Sequence, residues 1–359
     1  MCVKDEIGGE EAEEIQKLGS PSSFASSPME RICENTVSID DLNPVMNFVP
    51  IVRSGEWFNI GAREHMEDTH VCISDLAKKF RRRSLDAEAV SFYGVFDGHG
   101  GKDAAHFVCD NLPRIIAEDS DFPLKLEKVI VRSFLQTDLQ FAKTCSPQAS
   151  LPPSGTTALV AMIFGSRSLL VANAGDCRAV LSRLGVAIEM SKDHRPCCAR
   201  ERHRVESLGG FIDDGYLNGQ LGVTRALGDW HLEGMKVPGQ PGGPLIAEPE
   251  LNHITLSKED EFLIIGSDGL WDVFSSQNAV DFARRRLQQH NDVKACCKDI
   301  IEEALKRGAD DNLTVVMLCF HADPPMRIAH RGRLQKTISA EGLNSLKSLL
   351  EEKPSTKDN

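Results

Sequence analysis

Residues 92–101 read Phe92-Tyr93-Gly94-Val95-Phe96-Asp97-Gly98-His99-Gly100-Gly101. A short aromatic and apolar run is the pattern of a buried strand, and this one ends in a carboxylate, an imidazole and glycines that let backbone approach a ligand closely. Alone, Asp-Gly is a common tight-turn dipeptide, and a hairpin turn accounts for it. The pattern returns, however, at Phe262-Leu263-Ile264-Ile265-Gly266-Ser267-Asp268-Gly269, and in reverse order where Asp310-Asp311-Asn312 precede the apolar run Leu313 to Phe320. Three strong strands each carry an acid at one end.

Upstream, the folded part is expected to start between Met46 and Arg53. Residues 1–45 form an acidic, serine-rich leader that cannot bury enough apolar area to offset its ordering entropy, so disorder is expected. Within Gly55 to Asp68, Arg63 precedes the adjacent pair Glu67-Asp68. An arginine can clamp a phosphate through two parallel hydrogen bonds, and neighbouring carboxylates can hold metal-bound waters; a surface ion-pair cluster is the alternative. Lys78 to Arg83 reads as a solvated basic loop or a docking or nuclear-targeting signal.

Downstream, helices are predicted over Lys102 to Asn111, with Pro113 as a break or a new start, and over Leu124 to Lys143. Strands follow at Thr156 to Phe164, Ser168 to Ala174, Arg178 to Arg183 and Val186 to Glu189, divided by hairpin-length connections. That rhythm predicts an antiparallel meander, with Asp176 at another strand end. Ala199 to Leu208 reads as a helix, and residues 209–249 as a glycine-rich mobile lobe. Beyond it come strands at Leu251 to Leu256 and Glu261 to Gly266, helices at Gln277 to Leu287 and Val293 to Lys306, and the last strand. Strands in runs with helices between blocks favour an α+β fold with mostly antiparallel sheets. Residues 323–359 form a basic tail in which Leu343, Leu346, Leu349 and Leu350 could line one side of a helix.

The chain has 359 residues, 41% of them hydrophobic and 26% charged, and a net charge of −12. This balance describes a globular protein and argues against nucleic-acid binding through a general basic surface. No apolar run reaches membrane-spanning length, and Met1 to Glu6 lacks a signal-peptide pattern. The 11 cysteines are odd in number and show no CxxC spacing; they read as reduced, apolar fillers in an intracellular chain, in cytoplasm or nucleus.

If the strand ends converge, Asp97, Asp268 and Asp311, with Glu67, Asp68, Asp176 and Asp272 near similar elements, would crowd like charges into a partly dry site. Protonation or shared cations must relieve that repulsion. Oxygen ligands without Cys or His spacing suit Mg²⁺ or Mn²⁺, and two such ions about 3.5–4 Å apart could generate a hydroxide nucleophile and clamp a phosphoryl group.

The motifs also carry a resemblance. Phe96 to Gly101, Arg63 with Met66-Glu67-Asp68, Ser154-Gly155-Thr156-Thr157-Ala158, Ala174-Gly175-Asp176-Cys177-Arg178, Thr224 to Asp229, Ser267 to Asp272 and Asp311 to Thr314 resemble, in order, the motif series of the protein phosphatase 2C family. The matching span covers about residues 46–322, and Leu208 to Gly219 is most similar to plant members. The resemblance implies two stacked, mostly antiparallel sheets flanked by helices, an α-β-β-α sandwich. It also implies an enzyme that removes phosphate from serine and threonine of phosphoprotein substrates without a covalent phosphoenzyme; a monomer is expected. By carry-over, Asp97 bridges two metals, Gly98 offers its carbonyl, Asp268 and Asp311 ligate directly, and Glu67, Asp68 and Asp272 act through waters. Asp176 with Asp268 matches a weaker third position, Arg63 holds the phosphate, and His99 protonates the leaving oxygen. Thr157 can also be a packed strand residue, and Arg225 with Asp229 a structural ion pair. Hormone co-receptor members carry a tryptophan in the lobe; Ile212 stands near that place here and Trp230 lies beyond Arg225, which argues against that partnership.

Other classes fit less well. Cys-x5-Arg spacing occurs at Cys177 to Arg183 and Cys198 to Arg204, but without the glycines that let amides cradle phosphate. A phosphatase-like binding protein without activity, or a metal-dependent nuclease, would leave the complete, ordered acid set unexplained.

Overall fold

The computed structural model describes residues 48–80, 89–144, 153–237 and 242–327. The leader, Arg81 to Arg83 and the leucines of the basic tail lie outside the described residues. In chain order the elements are β1 (Arg53–Asn59), β2 (Thr69–Ile73), α1 (Leu76–Lys79), β3 (Ser91–Phe96), β4 (Gly98–His99), α2 (Asp103–Glu118), α3 (Leu126–Thr144), β5 (Gly155–Thr156), β6 (Ala158–Phe164), β7 (Ser168–Ala174) and β8 (Arg178–Arg183). They continue with β9 (Val186–Glu189), α4 (Ala199–Ser207), β10 (Ile212–Asp213), β11 (Tyr216–Leu217), β12 (Leu227–Gly228), β13 (Glu250–Thr255), β14 (Asp260–Gly266), α5 (Asp268–Trp271), α6 (Ser276–His290), α7 (Val293–Lys306) and β15 (Leu313–Cys319).

Two five-stranded antiparallel sheets dominate, one in the order β1-β15-β14-β8-β9 and the other β13-β7-β6-β3-β2. Both are covered on both faces, which is why their central strands read as unbroken apolar runs rather than alternating ones. The two-residue period is still visible in what each side chain meets. From β3, Tyr93 and Val95 pack between the sheets with Leu159, Leu181, Leu263, Ile265, Val316 and Leu318. Phe92 and Phe96, on the opposite face, pack under α2 and α3 against Val108, Leu112, Ile130 and Phe134. On the other side Phe262, Ile264, Val315 and Met317 meet Val280, Ala283, Ile300 and Ile301 of α6 and α7. The layers are therefore α-β-β-α.

Three local readings are corrected. Helix α2 runs through Pro113 to Glu118, because Leu112, Ile115, Ile116 and Ala117 around the proline are all buried and their packing outweighs the lost backbone hydrogen bond. The run from Ser168 to Glu189 is not one meander: β7 lies in one sheet and β8 in the other, so Gly175-Asp176 crosses between layers instead of turning a hairpin. Residues 76–79 form the short helix α1, its start capped by the Asp75 side chain accepting from Lys78 N at 3.1 Å, rather than a loop.

A small third sheet, β12-β5-β4, sits where β3 ends. Thr157 interrupts the strand predicted over Thr156 to Phe164 by turning to the Asp97 backbone. Its N–H donates to Asp97 O at 2.9 Å, and its hydroxyl accepts from Asp97 N at 3.2 Å. The acid at the strand end is thereby held by its own backbone. Beside it, Leu217, Met235 and Leu245 of the lobe pack with Val205 of α4 into a separate small core.

Candidate active site

The ends of β3 and β14, the crossing after β7 and the approach to β15 meet at a cleft of about 450 Å³ lined by Arg63, Asp97, His99, Asp176, Asp268 and Asp311. Glu67 and Gly98 line it too, and Gln220 to Val223 of the lobe form part of its wall. Acids separated by more than 200 positions in sequence thus converge, as the strand-end reading expects.

Their electrostatics show the crowding. Desolvation raises the Asp97 carboxyl well above the ordinary carboxylate range, and the charges of Asp68, Asp268, Asp176 and Asp311 raise it further. Asp268 is pushed up by burial and then by Asp272 and Asp311, while a hydrogen bond with Asp97 and the Arg195 charge pull it back. Burial carries Asp176 to about 7, with Asp268 adding to the rise. Asp68 rises to about 6 through burial, opposed by nearby Ser267 and Thr314 and reinforced by Asp268 and Asp311. Both of its buried carboxylate oxygens lack a well-formed hydrogen bond. Buried acceptors of this kind are expensive unless a cation meets them.

Positive charge reaches the cluster from two arginines. Arg63 Nη2 donates to Asp311 Oδ2 at 2.6 Å, so the residue expected to clamp phosphate rests on an acid at the cleft rim. Arg195, which sequence reasoning passed over, lies 2.9 Å from Asp176 and 3.2 Å from Asp268. Asp272 is the outlying member, 60% exposed and 3.7 Å from Arg195. Among the described residues no group of three acid, imidazole or thiol side chains stands ready to grip an ion. The donor set nevertheless suits one: carboxylates and the Gly98 carbonyl are hard oxygen ligands, and the Asp68 oxygens have no other well-formed partner.

His99 lines the same cleft two residues after Asp97. Its Nε2 is 2.8 Å from Asp229 Oδ2, a carboxylate only 1% exposed. Burial pulls the imidazole pKa down, but the Asp229 charge and hydrogen bond outweigh it and hold the ring above its ordinary value. This corrects the expected Arg225–Asp229 pair: Arg225 binds Glu201 instead, its Nη2 donating to Oε1 at 2.7 Å. Strand β5 makes the His99 arrangement possible, since β4 and β12 pair with it on either side and place His99 and Gly228 opposite Gly155. Asn312, quoted in a motif but given no role, accepts from Glu67 N at 2.7 Å and donates to the carbonyls of Ile60 and His65 at 2.9 and 3.0 Å. It staples the Arg63 loop to the start of β15.

Residues 57–313 match the family model described as protein phosphatase 2C. A rice protein (Oryza sativa subsp. japonica) named probable protein phosphatase 2C 27 is 65% identical over 358 residues, covering 98% of this chain and 99% of its own length. This chain belongs to the protein phosphatase 2C family. An Arabidopsis thaliana relative, probable protein phosphatase 2C 22, is 57% identical over 307 residues, covering 85% of this chain and 78% of its own. Among solved structures, a serine-threonine phosphatase 2C from Toxoplasma gondii superposes with a TM-score of 0.61 at 20% identity, covering 77% of this chain and 97% of that one. At that identity the likeness establishes the phosphatase 2C fold, in agreement with the α-β-β-α layers. At Cys177 the thiol alternative fails on burial. Cys177 is fully buried on the way into β8, and burial raises its thiol far above the range of a nucleophile.

Proposed function

We infer that this chain is a Mg²⁺- or Mn²⁺-dependent protein phosphatase that hydrolyses phosphoserine and phosphothreonine in phosphoprotein substrates. The observation that carries the assignment of roles is the acid cluster at the cleft, in which the buried Asp68 oxygens lack a well-formed hydrogen bond and burial together with neighbouring acid charge raises the carboxyls of Asp97, Asp176 and Asp268. On this reading Asp97, Asp268, Asp311 and the Gly98 carbonyl would hold two ions directly. Glu67, Asp68 and Asp272 would act through waters, and Asp176 with Asp268 would supply a weaker third position. When bound, the ions supply activated water and charge compensation for the phosphoryl oxygens.

The chain's own residues then have distinct tasks. Arg63, 60% exposed at the cleft rim, can exchange the Asp311 carboxylate for the substrate phosphate, which its planar guanidinium matches with two hydrogen bonds. His99, whose pKa the Asp229 charge and hydrogen bond raise against the effect of burial, is placed to deliver a proton to the departing serine or threonine oxygen. With Nε2 engaged by Asp229, Nδ1 is the nitrogen that serves the substrate. The family match over residues 57–313 supports a catalytic domain spanning residues 46–322. An intracellular location, in cytoplasm or nucleus, is supported by free thiols at exposed Cys72 and Cys197. No described helix is long and apolar enough to cross a membrane.

The deciding measurement is Mn²⁺-dependent release of phosphate from a phosphothreonine peptide by the parent, Asp97→Asn and His99→Ala proteins. Near abolition is expected in the first variant and a loss of about 100-fold in turnover in the second. Equal activity in all three would reject the assigned roles.

A further inference from the structure

The cation that faces the acids on the Asp176 side belongs to the chain itself. Arg195 Nε lies 2.9 Å from Asp176 Oδ2, and its Nη2 lies 3.2 Å from Asp268 Oδ2 and 3.7 Å from Asp272 Oδ1. Only the Asp268 contact is a hydrogen bond; the approach to Asp176 is a charge contact without hydrogen-bond alignment. The guanidinium is therefore not locked in the two-pronged geometry that makes arginine–carboxylate pairs rigid. Its side chain is 34% exposed, which leaves it a way out to solvent.

The backbone that carries it is fixed from both sides. His194 N donates to Gly175 O at 2.9 Å, and Gly175 N donates to His194 Nδ1 at 3.2 Å, so the residue before Arg195 is clasped to the turn bearing Asp176. The His194 carbonyl accepts from Thr224 N at 2.8 Å and Thr224 Oγ1 at 3.1 Å, which ties the same point to the lobe. A fixed root and a loosely held head describe a side chain that can vacate a position and return to it.

We propose that Arg195 is a tethered cation that occupies the corner formed by Asp176, Asp268 and Asp272 and competes there with a divalent ion, which enters only when the guanidinium swings out. The proposal rests on the reading of these acids as metal ligands given under Proposed function. The same carboxylate oxygens cannot serve both cations at once, and like charges at this distance repel. Arg195 is on this account a regulator of metal occupancy. It makes the third position weak by supplying its charge from within.

Mn²⁺ binding to the full chain, followed by calorimetry with free Mn²⁺ counted by electron paramagnetic resonance, tests this without reference to turnover. Parent, Arg195→Gln and Arg195→Gln with Asp176→Asn are compared, each checked for an unchanged circular dichroism spectrum. The tight ions are expected in all three. The weakest ion should bind Arg195→Gln at least tenfold more tightly than the parent, and the added Asp176→Asn should erase that gain. An unchanged weak affinity in folded Arg195→Gln overturns the proposal. Should that variant not fold, Arg195→Lys decides, because its compact charge reaches less far and loses the fork: a severalfold gain supports competition and no gain overturns it. Absence of any tight Mn²⁺ in the parent would instead overturn the metal reading itself, and this inference with it.

Discussion

Gly155 occupies a position that admits no side chain, because a Cβ there would strike the Asp229 carboxylate and the His99 ring. The glycine lets β4 and β12 close on β5 so that acid and imidazole can touch. Gly155→Ala and Asp229→Asn should therefore both damage proton delivery to the leaving oxygen. Turnover of a phosphothreonine peptide is expected to fall about 100-fold in each. Hydrolysis of p-nitrophenyl phosphate should fall far less, since its leaving group departs without a proton. Equal losses on the two substrates would show that His99 does something other than protonate. Asp229 was legible as a motif residue, but its partner was not. A four-residue spacing brings Arg225 and Asp229 together only on a helix, and here the chain passes through β12 and places Asp229 at a φ of 57°. Arg195 escaped notice for a related reason: nothing in Asp193-His194-Arg195-Pro196 reveals that the chain folds back onto the Asp176 turn.

Helix α4 shows what an element does for the site from outside it. Its Glu201, 2% exposed, accepts from Arg225 through both oxygens, at 2.7 and 3.1 Å, and from Arg204 Nη2 at 2.9 Å and the Thr224 hydroxyl at 2.9 Å. Burial alone would raise its pKa, but the hydrogen bonds and charges of Arg225 and Arg204 overcome this and bring it down from 4.5 to about 2. A depressed acid stabilises the fold fully above its unfolded value and loses that contribution as pH falls from about 4.5 toward 2. The contribution is on the order of 3 kcal/mol. Urea unfolding of Glu201→Gln at neutral pH should show a destabilisation of about that size, with a flatter dependence on pH between 4.5 and 2 than in the parent. Parallel pH profiles would remove the Arg225–Glu201 pair from the forces holding the lobe. At this scale β7, β8, β9 and α7 begin and end where periodicity and glycine turns predict. Those cues are local. The passage from β7 in one layer to β8 in the other depends on packing that no short window contains, and so does the survival of α2 through Pro113.

Across the whole molecule, folding brings carboxylates into a cleft where their charges oppose one another, so a ligand that neutralises them should stabilise the native state. At a Mn²⁺ concentration about 100 times the dissociation constant, binding adds roughly 2.7 kcal/mol, which corresponds to a rise in melting midpoint of about 5 °C for a domain of this size. EDTA should reverse the rise and Asp97→Asn should remove most of it. A midpoint indifferent to Mn²⁺ would mean that the acids do not collect ions. The layered architecture was readable because β3, β14 and β15 are buried on both faces and announce themselves as apolar runs ending or beginning in acids.

Asp97 directly follows β3 of one sheet, and Asp268 opens α5 two residues past the end of β14 in the other. Their separation is consequently a gauge of how the two layers are seated. A slight shear along the filling made by Val95, Leu159, Ile265 and Val316 would part the two acids while every strand stayed paired. Lesions buried far from the cleft can thus silence the enzyme while its spectrum still reports an intact sandwich.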